Sequence, residues 1–83
     1  MNGATIDLLY FARIAELTGK RSEAWPLTGP TTGAQLLAAL TERYPQLGQT
    51  RRLKLAINQT HAKSEAVIQP GDEVAVFEPV TGG

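Results

Sequence analysis

Apolar and polar residues alternate from Thr5 to Phe11, with Ile6, Leu8 and Tyr10 on one side and Asp7, Leu9 and Phe11 on the other. This period-2 spacing predicts a strand. Because both sides carry bulk, one face is expected to pack on a helix, while Leu9 and Phe11 either line a partly exposed patch or lie under a loop. Over Arg13 to Thr18 the spacing changes: Ile14 and Leu17 stand three apart and Gly19 follows, a residue suited to closing a helix in the left-handed conformation. A short helix is expected there. Alternation returns over Ser22 to Leu27, with Glu23, Trp25 and Leu27 on one face. Pro26 has no N–H for a ladder, which confines this strand to a sheet edge, and Trp25 is expected to be part of the core.

The strongest helical signal starts at Thr32-Gly33-Ala34-Gln35, a capping box in which the Thr32 hydroxyl and the Gln35 amide satisfy each other's backbone donors. Leu36, Leu37, Leu40 and Tyr44 then recur at helical spacing until Pro45 stops the ladder. Leu53, Leu55 and Ile57 alternate, and Asn58-Gln59 can turn the chain into a second short strand around Thr60 to Ala62. Gln69-Pro70-Gly71-Asp72 fits a type II turn and launches Glu73 to Phe77, with Val74 and Val76 facing one way and Ala75 and Phe77 the other. Strand, short helix, strand, long helix and two or three further strands add up to an α+β layer. The expected fold is a ubiquitin-like β-grasp, a mixed sheet of four to five strands on one main helix. In that arrangement the last strand lies centrally beside the first, and the chain leaves it into a tail at 78–83.

Composition narrows the chemistry. Eighty-three residues fit one small domain spanning 1–83, able to bury roughly 60 to 65% of the surface of its unfolded chain. Eight Lys plus Arg balance eight Asp plus Glu, so no net field favours nucleic acid or an anionic membrane. Arg51, Arg52 and Lys54 are the only basic cluster and read as a solvated strand edge. There is no cysteine, hence no thiolate nucleophile and no disulfide or Cys-based metal site, and the one histidine, His61, removes His-paired triads. His61 itself reads as a surface residue. The start has no basic n-region, and the longest apolar run, Leu8 to Ala12, is too short for a signal sequence or a membrane span. A cytoplasmic protein is expected.

What remains is the end, Thr81-Gly82-Gly83. Two glycines without Cβ atoms can thread a narrow channel and present the final carboxylate to another protein. A frayed terminus is the bland alternative, although at a usage of roughly 7% two terminal glycines arise by chance in only about one chain in two hundred. A carboxylate is a poor electrophile, but as an acyl-adenylate it can be attacked by a sulfur nucleophile to give a thiocarboxylate. Ordering a flexible tail costs on the order of 1 to 2 kcal/mol per residue, which docking of the folded body has to offset.

Tyr10-Phe11-Ala12, Glu16-Leu17-Thr18-Gly19, Ala56-Ile57-Asn58-Gln59-Thr60, Gly71-Asp72-Glu73-Val74-Ala75 and Pro79-Val80-Thr81-Gly82-Gly83 together resemble the MoaD family, the small subunit of molybdopterin synthase. The resemblance covers Thr5 to Gly83. It implies a sulfur-donating subunit with no permanently bound cofactor, whose catalytic residues lie on the large subunit. By that likeness Gly83 is adenylated by an E1-like enzyme of MoeB type that uses ATP. It then takes sulfur from a sulfur donor protein as a C-terminal thiocarboxylate (1-thioglycine). The tail, with Gly82 slender and Pro79, Val80 and Thr81 lining the channel, inserts into a MoaE-type large subunit in a heterotetramer. There two sulfurs convert cyclic pyranopterin monophosphate into molybdopterin. Phe77, with Phe11 and Leu9, is the candidate interface, core packing being the alternative for Phe77.

Two positions depart from the family. Glu78 stands where an apolar residue or proline is common, and Ala15 where an arginine often precedes Glu-Leu. Two other readings share the Gly-Gly ending: a ThiS-like sulfur carrier for thiazole synthesis, and a ubiquitin-like interaction or conjugation module. The longer first helix region and the Pro-Val-Thr-Gly-Gly ending favour MoaD over the first.

Overall fold

The computed structural model describes residues 4–48 and 52–79. Its elements are β1 (Thr5–Tyr10), α1 (Ala12–Thr18), β2 (Ser22–Pro26), β3 (Thr31–Thr32), α2 (Gly33–Arg43), a 3-10 turn (Pro45–Leu47), β4 (Lys54–Ile57), β5 (Thr60–Ala62), β6 (Val67–Ile68) and β7 (Glu73–Phe77). Five strands form one sheet in the order β2-β1-β7-β4-β5. β7 runs parallel to β1 and antiparallel to β4, so the last strand is central and the sheet is mixed, as a β-grasp requires. Pro26 sits on β2, an edge strand paired only with β1.

One face of the sheet makes the core. Ile6, Leu8 and Tyr10 of β1, Val74 and Val76 of β7 and Leu55 of β4 are buried against Leu36, Leu37 and Leu40 of α2, with Ile14 of α1 closing one end. Trp25 is half-buried and packs against this cluster. The capping box forms: the Gln35 N–H donates to Thr32 Oγ1 (3.2 Å), and the Thr32 N–H donates to Gln35 Oε1 (2.9 Å). The two N–H groups between them, on Gly33 and Ala34, donate to the carbonyls of Ala66 (2.9 Å) and Ser64 (2.7 Å). The helix start is thereby tied to the 63–66 loop, and its otherwise unpaired donors are satisfied.

Three features escape the hydrophobic pattern. A two-stranded sheet pairs β3 with β6 beside α2, and it exists because Ile68 is buried while each strand is only two residues long, too short for periodicity to register. Leu47, in the 3-10 turn after α2, joins the core although Pro45 had ended the helix. Lys54 is exposed and is paired on one side only, with Phe77 of β7, yet β4 as a whole is an interior strand between β7 and β5. Of the other two basic positions, Arg52 is exposed and Arg51 lies outside the described residues.

The Asn58-Gln59 turn forms as expected, both residues at positive φ (51° and 71°), the handedness that matches the twist of a two-residue hairpin. Asn58 is held there by its amide: Nδ2 donates to Asp72 Oδ1 (3.1 Å) and Oδ1 accepts from the Glu73 N–H (3.0 Å). This fastens the β4–β5 hairpin to the start of β7. Gly71, at φ 88° in the turn before β7, takes a conformation in which a side chain would be strained.

Candidate functional site

The sheet face away from α2 carries few large side chains. Register places Leu9 of β1, Ala75 of β7, Ala56 of β4 and His61 of β5 in one row across four strands. The small alanines leave this row flat. One step towards the end of β7, Phe77 pairs with Lys54. Phe11 and Phe77 each stand two residues beyond the Leu9–Ala75 pair on adjacent parallel strands, so both aromatics belong to the same end of the face.

Phe11 is 50% exposed, one of two large apolar side chains so open among the described residues. It borders an open groove of about 750 Å³ shared with Leu9, Ala12, Ala15 and Arg21. Leu9 is half-buried. Phe77 is also half-buried and lies outside the buried core, its ring meeting His61 edge-on with centroids 5.4 Å apart. Pro79 follows, exposed and out of the ladder. Val80, Thr81, Gly82 and Gly83 lie outside the described residues.

His61 is exposed, as the sequence suggested; what sequence reasoning missed is that His61 and Lys54 flank Phe77. The signal was available: a two-residue turn at 58–59 opposes Ile57 to Thr60 and Ala56 to His61, which puts His61 on the face that carries Ala75 and Phe77.

The end of β1 beside Phe11 is fixed by a polar cluster behind it. Glu23 Oε2 accepts hydrogen bonds from Tyr10 Oη (2.5 Å) and Tyr44 Oη (2.7 Å), while Lys20 Nζ pairs with Oε1 (3.2 Å). The two tyrosine rings meet edge to face at 6.4 Å. Burial pushes the Tyr10 phenol well above its ordinary range, and the Glu23 hydrogen bond and charge push it further. For Glu23, burial alone would raise the carboxyl. The hydrogen bonds from Tyr10, Tyr44 and Lys20 together outweigh it and hold Glu23 below its usual value. The cluster joins β1, β2 and the end of α2, so Tyr10 is anchored where the next residue turns outward.

Among the described residues no three His, Asp or Glu side chains are grouped to hold a metal ion, and no helix is long and apolar enough to cross a membrane. The face carries an apolar row with two aromatics, Phe11 and Phe77, at one end and Lys54 beside Phe77.

Comparison with known proteins agrees with this architecture. A ThiS family model matches residues 8–83. The chain is 37% identical to the molybdopterin synthase sulfur carrier subunit of Homo sapiens, over 94% of this chain and 93% of that protein. It is 38% identical to the subunit of the same name from Escherichia coli, over 94% and 99%. Among solved structures it is similar to small archaeal modifier protein 1 of Haloferax volcanii, with a TM-score of 0.79, 28% identity and coverage of 94% of this chain and 100% of that one. With matches that run nearly end to end in both directions, the chain belongs to the ThiS family, in its MoaD branch of molybdopterin synthase sulfur carrier subunits.

Proposed function

We propose that this protein is the sulfur carrier subunit of a molybdopterin synthase and that the Gly83 carboxylate is its reacting group. The observation that carries the reading is the position of β7. This central strand ends at Phe77, at the aromatic end of the open face, and residues 78–83 follow it. Fully extended, those residues span at most about 20 Å. A partner seated on Phe11, Leu9 and Phe77 can therefore receive Gly83 in a deep, narrow channel while the folded body stays outside. The names borne by the human and bacterial relatives support the same role.

The chemistry follows from what the chain lacks. Without cysteine it has no side chain to hold sulfur, so the terminus must. An E1-like, MoeB-type enzyme joins the Gly83 carboxylate to the α-phosphate of ATP and releases pyrophosphate. A sulfide equivalent from a sulfur donor protein then displaces AMP and leaves a C-terminal thiocarboxylate. In the MoaE-type large subunit the thiocarboxylate sulfur attacks an electrophilic carbon of cyclic pyranopterin monophosphate, and the carbon–oxygen bond at that carbon breaks, its oxygen leaving with the electron pair and taking up a proton. Water cleaves the resulting thioester, leaving sulfur on the pterin and returning Gly83 as a carboxylate. Pro79, Val80 and Thr81 line the channel, Gly82 is slender enough to permit insertion, and acid–base steps fall to residues of the partner enzymes.

The deciding experiment is incubation with the adenylating enzyme, ATP and a sulfur donor, followed by intact and peptide mass spectrometry. One oxygen-for-sulfur exchange confined to the C-terminal peptide is expected. An unchanged mass, under conditions that charge an established sulfur carrier, would remove the proposal.

A further inference from the structure

The junction between β1 and α1 runs against local preference twice in two residues. Phe11 is the N-cap of α1 and its side chain satisfies none of the helix's free N–H groups, a task that Ser, Thr, Asp or Asn performs. Ala12, the first helical residue, has φ 49°, a region that is costly for a residue with a Cβ atom. Elsewhere positive φ falls on glycine, at Gly19, Gly48 and Gly71, or in the two-residue hairpin turn Asn58-Gln59, whose handedness requires it. At Ala12 there is neither a glycine nor a hairpin turn. What the junction yields is an aromatic ring turned outward at the corner of the open face, half exposed, beside a groove to which Ala12 itself contributes. Immediately behind it, Tyr10 is held by Glu23. Local choices that contradict stability at a single spot point to a role outside stability.

We propose that Ala12 is a positioning residue: its left-handed backbone sets Phe11 outward before the partner arrives, and a residue with a Cβ atom leaves that backbone less freedom than glycine would, so that docking orders less of the chain. This rests on the reading of the open face as the partner's seat. An interface residue fixed in its bound orientation loses less conformational freedom on association.

The test measures thermal stability and affinity for the cognate large subunit of molybdopterin synthase in parallel, with the full chain. Ala12→Gly is expected to raise Tm by about 4 to 8 °C, the shift that relief of modest strain gives in a domain of this size, and to weaken the complex about threefold to fivefold. Ala12→Asn, which keeps a Cβ and tolerates the left-handed region, is expected to bind within twofold of the native chain. A purely structural role moves Tm and leaves affinity alone. Phe77→Ala serves as the control for the docking face. If it weakens binding while Ala12→Gly does not, the positioning role is wrong and the docking face stands; if neither weakens binding, the docking face is wrong as well. A lower Tm or loss of folding in Ala12→Gly, or an Asn variant that binds as weakly as the Gly variant, also overturns the proposal.

Discussion

His61 and Phe77 meet edge to face, ring centroids 5.4 Å apart and planes at 60°, on the sheet face that α2 leaves uncovered. The contact braces a half-buried aromatic where the central strand ends. A ring held this way, with flat alanine rows beside it, has the character of an interface anchor, since anchors are large, prepositioned and close to the centre of the contact. Phe77→Ala is expected to weaken association with the large subunit by about 30-fold or more, corresponding to about 2 kcal/mol. Its cost to folding should be smaller, about 1 kcal/mol, because the ring lies outside the buried core. Titration calorimetry beside thermal melting separates the two; unchanged affinity with a large fall in Tm would return Phe77 to a packing role.

Removal of Gly83 addresses the chemistry alone. The core ends with β7, and no described core residue lies beyond Phe77. The truncated chain should melt within about 1 °C of the full chain, as expected of the loss of a single terminal residue. Sulfur transfer in a reconstituted synthase should be abolished. Residual transfer at a tenth of the normal rate or more would mean that another group carries the sulfur.

The elements that set the face were legible because each announces itself locally. Thr32 and Gln35 cap α2, Asn58-Gln59 turns the hairpin, and Gly71 permits the turn into β7, all within four residues of sequence. The central place of β7 was legible only through the fold: parallel pairing of Leu9 with Ala75 joins residues 66 positions apart, and no short window contains it. The β3–β6 pair and Leu47 were hidden for the opposite reason, being too short for a period to appear. The candidate surface was half legible. Leu9, Phe11 and Phe77 stood out as apolar residues on the second face of their strands, whereas His61 and Lys54 acquire meaning only from cross-strand register.

Gly33 opens α2 at a place where there is no room for a side chain. A Cβ there would stand 2.7 Å from Leu55 Cδ1 and 3.3 Å from the Ser64 carbonyl oxygen. Leu55 is buried and cannot swing away without disturbing the core, and Ser64 is fixed by its hydrogen bond from the Ala34 N–H. The helix-favouring effect of alanine, up to about 1 kcal/mol, is therefore outweighed by overpacking of about 1 to 3 kcal/mol. Gly33→Ala should lower Tm by several degrees, read by calorimetry, whereas Tm at or above the native value would show that the 63–66 loop can yield.

The Glu23 cluster predicts a pH profile whose sign can be worked out. Glu23 titrates below its ordinary value near 4.5 in the folded chain, so its contribution is present above that value and is lost as pH falls through the depressed folded value. Tyr10 titrates above its ordinary value near 10, so its contribution is present below 10 and is lost only as the solution becomes strongly alkaline. Stability from this cluster should therefore be level between about pH 5 and pH 9 and fall on both sides. Replacing the carboxylate by an amide leaves the tyrosine hydroxyls a weaker acceptor, a loss of about 1 to 3 kcal/mol for hydrogen bonds made to a charged group. Glu23→Gln should be less stable than the native chain by that amount at pH 7 in denaturant titrations. Because protonation of native Glu23 removes the same charge, the difference should shrink towards zero as pH is lowered past 4. A difference that persists unchanged at low pH would show that Glu23 contributes by shape and not by charge, and the anchoring of Tyr10 behind Phe11 would then need no ionised group.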